Sequence, residues 1–122
     1  MRERLIGLIE GLRNIRGVQA IILFGSYARG EEKPTSDIDV CVLADRDIPG
    51  DVKSDIVSRS SEKVDVTLFW DMPPAVRYAI LREGRMLHQE DAEAIQTATV
   101  ETMGEYLDFK HIMDRNVARM LA

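Results

Sequence analysis

The stretch Ile21-Ile22-Leu23-Phe24-Gly25-Ser26-Tyr27-Ala28-Arg29-Gly30 and, past a loop, Ser36-Asp37-Ile38-Asp39-Val40-Cys41-Val42-Leu43 decides the fold. An apolar run of strand length ends in Gly-Ser, and ten residues separate that dipeptide from Asp37-x-Asp39. A second apolar run then opens with two carboxylates in alternation. A strand sends alternate side chains to one face, so Asp37 and Asp39 project together while Ile38 turns to the core. A third run, Val64-Asp65-Val66-Thr67-Leu68-Phe69, carries another carboxylate near its start.

Working outward, Leu5, Ile6, Leu8, Ile9, Leu12 and Ile15 recur at helical spacing, so residues 2 to 15 read as an amphipathic helix that Gly17 ends. Val18 to Phe24 is a strand buried on both faces. The Gly25-Ser26 turn leads into a short helix ending near Gly30, and Glu31 to Ser36, with Pro34, is loop. Asp37 to Leu43 is the second strand, Asp51 to about Ser60 a polar surface helix, and Lys63 to Trp70 the third strand, rich in β-branched residues. Pro73 to Glu83 is bounded by proline at a helix start and Gly84 at its stop. Arg85 to His88 is a short strand. From Asp91 onward the chain is helical, as one or two helices with a break near Gly104. Helices alternating with strands over 122 residues, without repeat or linker, predict one α/β domain spanning residues 1–122, its small sheet covered by helices.

Two carboxylates held this close repel each other unless a cation joins them. Magnesium takes oxygen ligands and is held by one or two carboxylates plus substrate phosphates. If the third strand neighbours the second, Asp65 completes a three-carboxylate cluster able to take two magnesium ions, one activating an acceptor and one on a triphosphate. Gly25 lets the backbone approach a phosphate closely, and the Ser26 hydroxyl and the N–H groups of the expected helix start attract the anion. The reaction this suggests is in-line attack on an α-phosphate with pyrophosphate leaving, driven by positioning and charge neutralisation. Singly, a Gly-Ser marks a turn and an Asp-x-Asp a solvated strand edge; their order on successive strand starts is what points to this chemistry.

Composition narrows the partners. Hydrophobic residues at 45% and charged residues at 30% are ordinary for a soluble globular protein, and no apolar stretch approaches membrane-spanning length. The net charge of -5, without a basic patch, disfavours direct nucleic-acid binding. The single cysteine, Cys41, forms no intrachain disulfide and agrees with a cytoplasmic location.

Gly25, Ser26, Asp37, Asp39 and Asp65 together resemble the signature of the nucleotidyltransferase superfamily, the fold of DNA polymerase beta. The wider chain resembles the minimal nucleotidyltransferase (MNT) proteins, the MntA-type antitoxins paired with HEPN toxins. The further matches are Gly25-Ser26-Tyr27-Ala28-Arg29-Gly30, the stretch from Pro73 to Leu87, and Tyr106-Leu107-Asp108-Phe109. The resemblance implies a nucleotidyltransferase α/β fold with a mixed sheet and a long C-terminal helical segment. It implies Mg2+ bound by Asp37 and Asp39, with Asp65 ligating the metal nearest the acceptor and helping to deprotonate it, and Ser26 contacting the triphosphate. It further implies transfer of AMP from ATP to a tyrosine of a cognate HEPN RNase, which silences that toxin within a hetero-oligomer. Two alternatives remain open: an antitoxin acting by binding and occlusion, and a nucleotidyltransferase for a small molecule or an RNA end.

Other residues carry less. Arg29 and Lys33 follow the Gly-Ser turn, and either reaches a phosphate or lies on the surface, Arg29 being the stronger nucleotide contact. Tyr27 either stacks near the nucleotide or packs. Cys41 reads as a small buried hydrophobe and Trp70 as packing. His88 and His111 lack a third ligand at metal spacing, which argues against zinc. Met103, Tyr106, Leu107, Phe109, Ile112, Met113, Val117, Met120 and Leu121 extend around more than one face of the C-terminal helix, so part of it is a candidate partner surface.

Overall fold

The computed structural model describes residues 2 to 121, the side chain of Arg2 excepted. Its elements run α1 (Arg2–Arg13), β1 (Val18–Phe24), β2 (Ile38–Ala44), α2 (Gly50–Val57), β3 (Val64–Leu68), a 3₁₀ turn (Phe69–Asp71), α3 (Pro74–Glu83), β4 (Arg85–Gln89) and α4 (Ala92–Leu121). The strands form one sheet in the order β3-β2-β1-β4. β1 is antiparallel to both β2 and β4, and β2 is parallel to β3. The sheet is therefore mixed, as the resemblance implies. The β2–β3 crossover carries α2, since parallel neighbours need a long connection.

Alternation along the strands splits the core in two. Ile21, Leu23, Val40 and Val42 join Leu12 of α1 and Ile56 of α2 in one cluster. Ala20, Ile22, Cys41 and Leu43 join Phe69, Ile80 of α3 and Ala98 of α4 in the other. Two-sided cover is why β1 and β2 read as near-continuous apolar runs. Each fully buried Leu, Ile or Val contributes about 1.5–3 kcal/mol by leaving water.

Four expectations need correction. Residues 25 to 30 form turns rather than a short helix. Gly25 at φ +75° and Gly30 at φ +70° bracket the segment, and the left-handed region is incompatible with a continuing α-helix. α1 stops at Arg13, two residues early, where the Ile15 N–H donates to the Leu12 carbonyl at 3.0 Å. β3 stops at Leu68, and the 3₁₀ turn carries Phe69 and Trp70 out of the sheet. α4 runs unbroken through Gly104: an interior glycine costs a helix only about 1 kcal/mol, which 30 residues absorb.

One buried and one exposed arginine clamp α4 to the body. Arg77 of α3 is 5% exposed, and it donates to the Met72 carbonyl at 2.9 Å, to Thr102 Oγ1 at 3.1 Å and to the Glu105 carboxylate. Arg46 lies 3.7 Å over the Trp70 ring and reaches Glu101 and Glu105 at 3.0 Å each. Trp70 also has the Arg77 guanidinium 5.1 Å from its ring centre, so it packs as expected but against two cations. Hydrogen bonds from Arg77 and Arg46 hold the Glu105 carboxyl below its ordinary value. Tyr78 and Tyr106 stack at 4.4 Å beside this clamp. Beyond it, every residue from 107 to 121 is exposed, about 22 Å of helix. Phe109, Met113, Val117 and Met120 follow helical spacing along that free half. Among the described residues no helix is long and apolar enough to cross a membrane.

Candidate active site

Sheet pairing assembles the site at one end of the strands. Phe24, the last residue of β1, opposes Asp39 on β2, and Asp39 opposes Asp65 on β3. Directly opposed residues share a face, and neighbouring strands lie about 4.8 Å apart. Two carboxylates from different strands thus stand side by side on the face that α3 and α4 cover further along. Asp37 precedes β2 by one residue, because pairing with β3 begins at Ile38, whose N–H donates to the Lys63 carbonyl at 2.8 Å. Asp37 and Asp65 are exposed and Asp39 is half-buried.

The electrostatics link all three acids. Burial first, then the charges of Asp65 and Asp37, push the Asp39 carboxyl above its ordinary value of 3.8, against the pull of Arg29. A cation between these oxygens would relieve that strain, and all three donors are the hard oxygens that magnesium takes. Among the described residues no three His, Cys, Asp or Glu side chains are drawn together tightly enough to form a cage. The fit to magnesium is thus one of donor chemistry and placement, with carboxylates that repel each other standing apart. His88 lies 2.9 Å from Glu90, and His111 sits on the exposed half of α4.

Gly25 is fixed by that acid edge. A Cβ built on Gly25 would stand 2.5 Å from Asp39 Oδ2, so only glycine lets the turn pass over this carboxylate. The turn then closes on itself. The Arg29 N–H donates to the Gly25 carbonyl at 3.2 Å, and the Glu31 N–H to the Ser26 carbonyl at 2.9 Å. The expected helix N-terminus is absent from this segment, so any phosphate contact here comes from the turn and from the Ser26 hydroxyl. Ser26 directly follows the glycine that touches Asp39, and Arg29 closes the same turn.

The remaining candidates separate. Arg29 Nε donates to Glu31 Oε2 at 3.1 Å, and its Nη1 lies 3.8 Å from Glu83 Oε2. Lys33 lies in the exposed loop, where its N–H donates to Ser36 Oγ at 2.9 Å. Tyr27 packs against the α1-side core. Cys41 is fully buried on the acid side of β2, and burial pushes its thiol up to about 12, where it is inert. A cavity lined by Gln19, Asp45, Arg46, Trp70 and Glu101 lies at the other end of the sheet and takes in none of the acids. The carboxylates flanking Arg29 and the buried Arg77 escaped the sequence reading. Glu83 lies far from Arg29 in sequence, and an arginine inside a helix looks like any surface residue.

Comparison with known proteins gives this geometry a family. The profile described as Polymerase beta, Nucleotidyltransferase matches residues 7–93, which include the turn and all three acids. A protein of Methanocaldococcus jannaschii, named by inference a protein adenylyltransferase, is 26% identical over 76 residues, 62% of this chain and 60% of its own length. A bifunctional uridylyltransferase/uridylyl-removing enzyme of Vibrio atlanticus is 36% identical over 63 residues, half of this chain but 6% of that enzyme. Among solved structures, a chain from a toxin–antitoxin crystallised with AMP-PNP superposes at a TM-score of 0.71 with 22% identity, covering 98% of both chains. A chain from the complex of a tri-AMPylated Shewanella oneidensis HEPN toxin with its MNT antitoxin superposes at 0.67 with 21% identity, covering 98% of this chain and 95% of that one. At these identities the structural likeness is one of fold, and it extends over α4 as well as the sheet. With the profile spanning the turn, the acid-bearing strands and most of the sheet's cover, the chain belongs to the polymerase beta nucleotidyltransferase family.

Proposed function

We propose that this chain, acting as a single domain, is an antitoxin that transfers AMP from ATP to a tyrosine of a cognate HEPN toxin in the cytoplasm. The observation that carries the reading is the row formed by Asp39 and Asp65 on adjacent parallel strands, with Gly25 pressed against the Asp39 carboxylate. Family membership supports nucleotidyl transfer. The likeness over nearly the whole chain to proteins solved in toxin–antitoxin complexes supports the partner.

Asp37, Asp39 and Asp65 would hold Mg2+. Bound there, the metal supplies charge neutralisation for the triphosphate and lowers the acceptor's affinity for its proton. Ser26 and Arg29 orient the triphosphate from the turn. Asp65, exposed on β3, faces the acceptor and takes the phenolic proton. The tyrosine oxygen then bonds to the α-phosphorus, the bond from that phosphorus to the bridging oxygen breaks, and pyrophosphate leaves opposite. The open acid edge suits a bulky acceptor, since a protein tyrosine must enter from outside.

The test is intact-mass spectrometry of the partner after incubation with this chain, Mg2+ and ATP, with Asp37→Ala/Asp39→Ala as control. A gain of one or more AMP units that the folded control abolishes is the expected result. A stable complex with no gain would sink the transfer reading and leave the second one, neutralisation by binding. That second reading is favoured by the free half of α4, whose exposed apolar stripe is the docking surface we assign to the toxin under either mechanism.

A further inference from the structure

The phosphate turn and the end of α3 meet through one cation. Arg29 Nε donates to Glu31 Oε2 at 3.1 Å, and Arg29 Nη1 lies 3.8 Å from Glu83 Oε2. Glu31 belongs to the turn itself, so it moves when the turn moves. Glu83 does not. It is the last residue of α3, and the glycine after it is seated against the sheet: a Cβ on Gly84 would stand 2.5 Å from Ile22 Cγ2 and 3.2 Å from the Leu23 carbonyl. Ile22 and Leu23 belong to β1, the strand that ends at the phosphate turn. The Glu83 backbone is thereby fixed relative to the Gly25-Ser26 turn by close packing.

Resting on the nucleotidyl-transfer reading, we propose that Glu83 is a positioning residue for triphosphate binding, acting through Arg29. The hydrogen bond at Nε and the Glu83 charge beside Nη1 bias the guanidinium toward one orientation, with Nη2 left to meet a phosphate. A fork-shaped cation loses less conformational entropy on binding phosphate when it is already oriented. Arg29 also faces Asp39, whose carboxyl it pulls down, so its charge already lies at the acid edge. The alternative role for a carboxylate beside a phosphate-binding arginine is competition. Competition predicts the opposite sign: removing Glu83 would tighten binding.

The experiment measures binding of a fluorescent, non-hydrolysable ATP analogue, in the presence of Mg2+, to the full chain and to Glu83→Ala, Glu83→Gln, Arg29→Ala and the Glu83→Ala/Arg29→Ala double variant. Thermal unfolding is recorded alongside. Both members of the pair are nearly half exposed, which keeps the effect small: Glu83→Ala weakens binding about threefold to fivefold, in line with an exposed ion pair. Glu83→Gln, which keeps the shape but loses the charge of a contact longer than a hydrogen bond, weakens binding to a similar extent. Adding Glu83→Ala to Arg29→Ala changes nothing further. Tighter binding by Glu83→Ala overturns the proposal, as does an equal loss in the Arg29→Ala background, or a fall in unfolding temperature that accounts for the lost affinity. If the unsubstituted chain binds no nucleotide, the transfer reading itself fails; if it binds and Glu83→Ala matches it, only this inference does.

Discussion

Gly25→Ala tests the geometry of the acid edge at its tightest point. The new methyl meets two separate penalties. The φ of +75° places an L side chain in the left-handed region, at about 1–2 kcal/mol. The same methyl would stand 2.5 Å from Asp39 Oδ2, so the Asp39 side chain must leave its rotamer, at about 0.5–1.5 kcal/mol more. The sum is about 1.5–3.5 kcal/mol. Gly30→Ala separates the two terms, because Gly30 has φ +70° but nothing within 4 Å of its Cβ. It therefore takes only the backbone penalty. Chemical denaturation is expected to rank Gly25→Ala below Gly30→Ala by about 1 kcal/mol, a gap that closes when both are remade on an Asp39→Ala background. Activity divides more sharply. Gly30→Ala keeps AMP transfer at temperatures where it stays folded, whereas Gly25→Ala, with Asp39 displaced, loses it. Equal stabilities for the two variants, or wild-type transfer by Gly25→Ala, would refute the claim that this glycine exists to clear the carboxylate.

Two further outcomes follow from the same structure. Asp39 is held above its ordinary proton affinity in the folded state, so its ionised form opposes folding at neutral pH. Asp39→Asn is expected to stabilise the fold slightly at pH 7 while abolishing transfer; the stabilisation shrinks as pH falls from neutral into the window just above 3.8, where the native carboxyl takes its proton. A destabilised Asp39→Asn would contradict the like-charge cluster. On the free half of α4, Met113→Asp/Val117→Asp touches only exposed positions, so unfolding is expected to move by less than about 0.5 kcal/mol while co-elution with the proposed partner is lost. Retained co-elution would place the docking surface elsewhere.

How far the sequence carried is clearest at particular residues. β1 was legible end to end, because Val18 to Phe24 is bounded by Gly17 and Gly25, both at positive φ. Alternation placed Asp39 on one face of β2 with Cys41, but Asp37, read as the first residue of that strand, precedes it, because pairing with β3 begins at Ile38. That Asp65 would stand beside Asp39 was only conditional, since strand order and parallel pairing depend on where the α2 crossover returns the chain. The segment after β1 was misread as a short helix because Gly25-Ser26 and Gly30 look like its two ends, whereas the four residues between the left-handed glycines hold a single helical hydrogen bond, Arg29 N–H to the Gly25 carbonyl. Arg77 gave no signal because nothing local marks an arginine that buries itself. Its partners Thr102 and Glu105 lie on another helix, and only the packing of α4 brings them together.

The position of the α4 clamp has a consequence for how the reaction would proceed. Arg46, which grips Glu101 and Glu105, follows the end of β2, whereas Asp39 lies at its start. The two are separated by the length of that strand, about 20 Å. Under the proposed function, recognition on α4 and chemistry at the acids would then be separate events. A partner so held would present its tyrosine to the acids repeatedly, however weakly the tyrosine itself is bound. Pyrophosphate can leave and fresh ATP can enter without the partner letting go. If the proposed transfer holds, that arrangement favours repeated addition within one encounter, with the lifetime of the α4 contact setting the length of the run.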